Sequence, residues 1–77
     1  MFRNNLEDFV AVVLGSAKVK YSNLSIDDYD LDRVYLIVDN ESYTIRMWDI
    51  DKQGISFTLF KDVDNHGEEL SKGYFYF

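Results

Sequence analysis

Apolar residues in the first part of the chain recur at intervals of three and four, which predicts an amphipathic helix. The residues that share this pattern are Phe2, Leu6, Phe9, Val10, Val13 and Leu14. This spacing places the side chains on one face of a helix, which has about 3.6 residues per turn. Asn4 or Asn5 is suited to cap the N-terminus, and Gly15 is suited to end the helix in a left-handed conformation. We therefore expect a helix over about residues 4–15.

After Ser16 the pattern changes to alternation, which is typical of a half-buried strand. Ala17, Val19 and Tyr21 alternate with lysines and predict a strand near residues 17–22. The pattern of residues 25–32 leaves a helical turn, a strand and a loop open. Ser25 could cap a single helical turn, while the density of aspartates also suits an irregular loop.

The rest of the chain predicts strands separated by short turns. The predicted strands cover residues 33–38, 42–50, 55–61 and 74–77, and the turns are Asp39 to Glu41, Asp51 to Gly54 and Asp62 to Gly67. Gly54 suits the left-handed position of a type I turn followed by a bulge. Short connections make neighbouring strands antiparallel, so the strands form a meander.

These elements predict one small domain over residues 1–77. An amphipathic helix must bury its apolar face, and one side of the sheet is the surface available to it. The expected fold class is therefore α+β, with the helix of about residues 4–15 packed on a four- or five-stranded antiparallel β-meander.

Composition narrows the classes of function. The chain has no cysteine, so it has neither a disulfide framework nor a thiolate metal site. Fourteen acidic residues against eight basic ones give a net charge of -6, which argues against direct binding to nucleic acid. The longest apolar run, Phe9 to Leu14, is too short for a membrane span, and no signal peptide is recognisable. We expect a protein of the cytoplasm, or of the host cytoplasm if it is encoded by a phage.

Catalytic and metal-binding patterns are weak. The one histidine, His66, falls in a predicted turn, without the sheltered hydroxyl and carboxylate that a catalytic triad requires. Three aspartate-rich stretches, which begin at Asp28, Asp49 and Asp62, lack the closing glutamate of a calcium-binding loop. No glycine-rich phosphate loop is present. We therefore expect no enzyme activity, no catalytic residue, no metal and no cofactor.

The negative charge is concentrated in the middle of the chain. Residues 26–54 hold eight acids and three basic residues, which accounts for five of the six net negative charges. The densest cluster is Asp27, Asp28, Asp30 and Asp32. If this stretch is extended, alternate aspartates lie about 6.6 Å apart on one side and resemble a row of phosphates. The alternative is a solvated loop whose acids serve solubility.

Thirteen aromatic residues are more than so small a core needs. One helix can cover only one face of the sheet, so some aromatic residues should lie on the uncovered face. The candidates for this face are Tyr35, Tyr43, Trp48, Phe60, Tyr74 and Tyr76. Exposed tyrosine and tryptophan are typical of protein interfaces. The alternatives are a second layer of core and a homodimer that stacks these faces.

The combined pattern favours a non-enzymatic acidic protein that binds a basic surface of a protein partner. In size and charge the chain is similar to small acidic inhibitors of nucleases and of restriction or CRISPR effectors, which phages and mobile elements often make. The expected partner-binding residues are the acids Asp27, Asp28, Asp30, Asp32, Asp39 and Glu41 and the aromatics Tyr29, Tyr35, Trp48, Tyr74 and Tyr76. The alternative is a structural or assembly protein that self-associates through its uncovered sheet face or its C-terminal edge strand.

Overall fold

The chain forms one helix followed by a five-stranded sheet. The structure is a computed structural model that describes the backbone of residues 2–64 and 66–77, and their side chains from Leu6 onward. The elements are α1 (Phe2–Ser16), β1 (Leu24–Tyr29), β2 (Arg33–Val38), β3 (Glu41–Ile50), β4 (Gly54–Val63) and β5 (His66–Tyr76). The strands lie in the order β1-β2-β3-β4-β5, and each pair is antiparallel. The predicted α+β fold, with an N-terminal helix on an antiparallel meander, is confirmed.

The core lies between α1 and one face of the sheet. Phe9 is buried and packs edge-to-face against Phe57, with ring centroids 5.8 Å apart, and against Phe75, with centroids 5.2 Å apart. The other buried helix residues are Leu6, Val10, Val13 and Leu14. The sheet residues of this core are Val34, Leu36, Val38, Tyr43, Ile45, Met47, Ile55, Phe57 and Leu59. Alternate residues of β2 and β3 are buried in this core, although the sequence of β2 is a continuous apolar run after Arg33.

The ends of α1 differ from the prediction. The helix begins at Phe2, so Asn4 and Asn5 lie in its first turn, and it continues through Gly15 to Ser16. The cap predicted for Asn4 or Asn5, and the burial predicted for Phe2, concern side chains outside the described part of the chain. At the other end the left-handed residue is Lys18, with φ 58°, and not Gly15.

A Schellman motif ends the helix at Lys18. The N–H of Val19 donates to the carbonyl of Leu14 and the N–H of Lys18 to that of Gly15, each at 3.0 Å. Val19 and Ala17 then pack against the core. The prediction of a strand at residues 17–22 is therefore wrong, because these two apolar residues belong to the end of the helix. The first strand is instead β1, within the stretch whose structure the sequence left open.

The last strand is much longer than the predicted one at residues 74–77. β5 runs from His66 to Tyr76 and pairs with β4 along its length. Its first half is polar on both faces, so no alternation marks it. Gly54 also differs from the prediction, because its φ is not positive. A Cβ at Gly54 would instead collide with the backbone carbonyl of Phe75.

We expect Lys18→Gly to stabilise the protein. A side chain in the left-handed region costs about 1 kcal/mol, and glycine avoids this cost. Urea denaturation should show a gain of up to about 1 kcal/mol with an unchanged m value. Lys20→Gly is the matched control and should give no gain, since Lys20 has no positive φ. Equal stability of Lys18→Gly and the unmodified protein would contradict the strained helix end.

Alanine at the two glycines should act in opposite directions. Gly54→Ala places a methyl group against the carbonyl of Phe75 and should destabilise the protein by about 1–3 kcal/mol, the usual cost of overpacking. Gly15→Ala meets no atom within 4 Å and should stabilise the helix by roughly 0.5–1 kcal/mol. Thermal and urea unfolding measure both. A tolerated Gly54→Ala would show that β4 and β5 do not approach so closely.

Candidate functional site

Four aspartates gather at the tip of the β1–β2 hairpin, which we call the acidic tip and define as residues 27–32. Asp27 is the extra residue of a β-bulge in β1, opposite the consecutive pair Leu36 and Tyr35 of β2. Beyond Tyr29 the strand ends, and the N–H of Asp30 donates to the carbonyl of Arg33 at 2.9 Å to close the hairpin. Asp27, Asp28 and Asp30 are exposed, and Asp32 is half-buried.

The bulge and the turn alter the spacing of the carboxylates. An extended stretch would place Asp28, Asp30 and Asp32 in one regular row, but β1 ends at Tyr29 and residues 30–32 form the turn. The aspartates therefore surround a hairpin end instead of following one strand. Leu31 projects from this end with 93% of its surface exposed.

Little positive charge compensates the acidic tip. Among the residues with described side chains, its one ion pair joins Asp32 Oδ1 to Arg33 Nη1 at 3.6 Å. Asp28 Oδ1 accepts a hydrogen bond from the N–H of Tyr29 at 2.8 Å. An exposed ion pair of this length contributes little to stability, so the negative field of the tip is directed mainly into solvent.

Asp39 and Glu41 do not belong to the acidic tip. They flank the β2–β3 turn, which lies at the other end of β2, about 20 Å away by strand rise. The carboxylate of Asp39 accepts the N–H groups of Ser22 and Asn23, at 3.1 and 2.8 Å. Glu41 Oε1 binds Lys61 Nζ at 2.8 Å, and this hydrogen bond raises the pKa of the Lys61 ammonium. The structure thus gives both acids an intramolecular partner and separates them from the other four.

The sheet face opposite α1 carries aromatic and cationic side chains, and we call it the open face. Register and alternation assign to it Arg33, Tyr35, Ile37, Thr44, Arg46, Trp48, Ser56, Thr58, Phe60, Lys72, Tyr74 and Tyr76, together with the acids Asp49, Asp62 and Glu69. Tyr35 and Tyr74 are half-buried, Trp48 is 57% exposed and Tyr76 is 72% exposed. Tyr43 is buried in the core, so its predicted place on this face is wrong. Tyr29, directly across from Val34, is exposed at the edge of the sheet.

Three cations form a line across the open face. Arg33 pairs with Arg46, Arg46 with Thr58 and Thr58 with Lys72, so these positions occupy one cross-strand row. We call Arg33, Arg46 and Lys72 the cationic row. The row is not apparent from the sequence, because its three residues are far apart in the chain and the overall charge is negative. Alternation in β3 was a usable signal, since Thr44, Arg46 and Trp48 alternate with buried residues.

Trp48 is held beside this row by two contacts. It is the extra residue of a second β-bulge, between the paired positions Met47 and Asp49. Its indole N–H donates to Thr58 Oγ1 at 2.8 Å, and the guanidinium carbon of Arg46 lies 4.2 Å from its ring centroid. A cation at this distance from a tryptophan ring is attracted by about 0.5–1 kcal/mol. The contacts fix the orientation of a partly exposed ring.

Asp51 and Tyr74 join the β3–β4 turn to β5. Asp51 Oδ1 accepts the Tyr74 hydroxyl at 2.7 Å and the N–H groups of Gln53 and Gly54 at 2.8 and 3.0 Å. These bonds, that from Tyr74 first, lower the pKa of Asp51. The same hydrogen bond raises the pKa of Tyr74 to about 12. The predicted interface residue Tyr74 therefore also has a structural contact, and its ring lies 4.7 Å from that of Tyr76.

His66 is exposed at the start of β5 and lines a shallow depression with Glu41, Lys61 and Asp62. Within the described ranges 2–64 and 66–77, no three histidine or carboxylate side chains are grouped so that they could hold a metal ion. No described helix has the length and apolar character needed to cross a bilayer.

Comparison with known proteins gave no match: no family model fits the chain, and no curated protein or solved structure is significantly similar to it.

The Asp51–Tyr74 pair predicts a pH dependence. The lowered pKa of Asp51 makes its contribution to stability fully present above pH 3.8 and lost as pH falls through the folded-state value. The Tyr74 contribution is present below pH 10.0 and lost as pH rises through about 12. NMR titration should show that Tyr74→Phe raises the pKa of Asp51. Tyr76→Phe is the control and should leave the pKa of Asp51 unchanged. An unmoved Asp51 titration in Tyr74→Phe would contradict the hydrogen bond.

Proposed function

We propose that the protein is a non-enzymatic binding module that docks its acidic tip on a basic surface of another protein. The observation that carries this proposal is the placement of Leu31, 93% exposed, between Asp30 and Asp32 at the end of a hairpin. Burying such a side chain contributes about 1.5–3 kcal/mol. Single exposed apolar residues are common on protein surfaces, so the support comes from the position of Leu31 between the carboxylates of the tip.

The two kinds of residue at the tip serve different stages of binding. Uncompensated carboxylates steer a basic partner toward the tip and raise the rate of association. Leu31 then gives an apolar anchor that is desolvated in the complex and slows dissociation. Hot spots of protein interfaces have this arrangement, with an apolar centre and a polar rim.

Proteins that bind nucleic acid present basic surfaces of the required kind, because they neutralise phosphates with lysine and arginine. The module would act as an inhibitor by occupying such a surface in a nuclease or a phage-defence effector. The carboxylates surround the tip and do not follow a phosphate backbone residue by residue. The resemblance to nucleic acid is therefore one of charge alone. Leu31 adds an apolar contact, which the carboxylates cannot make.

The test compares two variants that remove the same charge from different places. The tip variant changes Asp27, Asp28, Asp30 and Asp32 to Asn, and the control changes Glu7 and Glu68 to Gln and Asp8 and Asp64 to Asn. A partner is first captured from cells of the source organism with the unmodified protein. Its association rate should then fall at least tenfold for the tip variant, with a weaker salt dependence. The control should retain both to within about threefold.

A second variant separates the anchor from the charge. Leu31→Ser should leave the association rate unchanged and raise the dissociation rate about tenfold, which corresponds to about 1.4 kcal/mol. A DNA duplex should compete with the module for the captured partner. Equal binding by the tip variant and the control, or a partner whose binding is independent of salt, would refute docking through the tip.

A further inference from the structure

Two patches of opposite charge adjoin each other on this molecule. The cationic row begins at Arg33, and the acidic tip ends at the preceding residue, Asp32. Asp28 pairs in register with Tyr35, which places the tip directly beside the open face. Each patch has an exposed apolar residue beside it, which is Leu31 on the tip and Trp48 next to the row.

The cationic row is unfavourable in the isolated chain. Arg33 and Arg46 lie directly opposite each other in register, and like charges in this position repel. Arg46 Nε is buried and has no hydrogen-bond acceptor. Glu69 lines the same depression as Lys72 and Trp48, but among the residues with described side chains no carboxylate lies within ion-pair distance of Arg46 or Lys72. An anionic group placed on the row would remove the repulsion, so the row is suited to bind one.

The size of the open face suits a protein surface as the source of this anion. One partner usually contributes about 800 Å² to a stable interface, which is a small part of the 5401 Å² accessible surface of the chain. A twofold interface needs each patch to be matched by a different patch of the same chain. The adjoining tip and row meet this condition, since each is complementary to the other.

We propose that two copies of the chain pack their open faces together about a twofold axis, with the acidic tip of each copy on the cationic row of the other. In this dimer the carboxylates of one tip bind Arg46 and Lys72 of the second copy. Leu31 is buried against the aromatic residues around Trp48. The tip cannot contact a second copy and a basic partner at the same time, so the dimer competes with the proposed function without depending on it.

The experiment uses charge reversal in the isolated protein, with no partner present. The tip-reversed variant carries Asp27→Lys and Asp30→Lys, and the row-reversed variant carries Arg46→Glu and Lys72→Glu. Each variant alone opposes like charges, while an equimolar mixture restores both contacts in a heterodimer. Glu7→Lys with Glu68→Lys, and Lys20→Glu with Lys52→Glu, are the matched controls away from the two patches. If the row-reversed variant does not fold, the single variant Lys72→Glu replaces it in the experiment, because it keeps the Arg46–Trp48 stack.

Sedimentation velocity should show a dimer whose dissociation constant rises at least tenfold between about 50 and about 500 mM salt. Each reversed variant should weaken the dimer at least tenfold, the controls should not, and the mixture should restore it. A protein that stays monomeric at every concentration, or a dimer indifferent to both reversals, overturns the proposal. Binding of a single-stranded oligonucleotide that is lost with Lys72→Glu would assign the row to nucleic acid instead and would also overturn it.

Discussion

Phe9 joins the helix to the sheet, and its edge-to-face contacts with Phe57 and Phe75 decide which face of the sheet becomes the core. A helix of 15 residues covers one face of a five-stranded sheet and no more. The apolar residues that alternate onto that side in the middle of the sheet, such as Val34, Ile45 and Leu59, are buried beneath it. Every residue of opposite parity is left on the other side, where it must tolerate water or find a partner. The surface chemistry of this protein follows from that division.

The division also explains how a strongly acidic chain comes to have a cationic surface. The acids lie chiefly in hairpin ends and turns, where Asp39 and Asp51 accept backbone N–H groups and complete the turns. Arg33, Arg46 and Lys72 lie within strands, on the face without a helix. The net negative charge therefore arises mainly from residues at the rim of the sheet, while the three cations lie in the middle of the open face. A potential binding partner therefore meets a surface with both positive and negative patches, which the overall charge of -6 does not reveal.

The sequence predicts the fold wherever packing produces a period. The helix face and the alternation of β3 and β4 are such cases, and their strand boundaries agree with the structure to within two residues. The predictions of secondary structure are wrong where a single residue adopts a conformation that its residue type disfavours. Lys18 takes the left-handed position that Gly15 was suited to fill, which makes Val19 part of the helix end. The polar half of β5 has no period of its own, and it is a strand because β4 offers it ten residues to pair with.

The candidate site was predictable in part, for a related reason. Local clustering along the chain reveals Asp27 to Asp32, and parity along each strand reveals Tyr35, Trp48 and Tyr74. The alignment of Arg33, Arg46 and Lys72 depends on the register between strands, which no single stretch of sequence contains. Leu31 was overlooked for the opposite reason, because an apolar residue within an acidic loop looks like a component of the core.

The β-bulges have a consequence for which side chains form this surface. Asp27, Trp48 and Leu70 are each one residue more than the opposing strand requires, since their neighbours on either side pair with consecutive positions. A one-residue shift in a regular strand exchanges its two faces, and the bulge absorbs that shift locally. Each of these three residues is thus supernumerary to the strand pairing. The residues that follow each bulge change face relative to those that precede it, so the bulges help to decide which side chains of β1, β3 and β5 reach the open face.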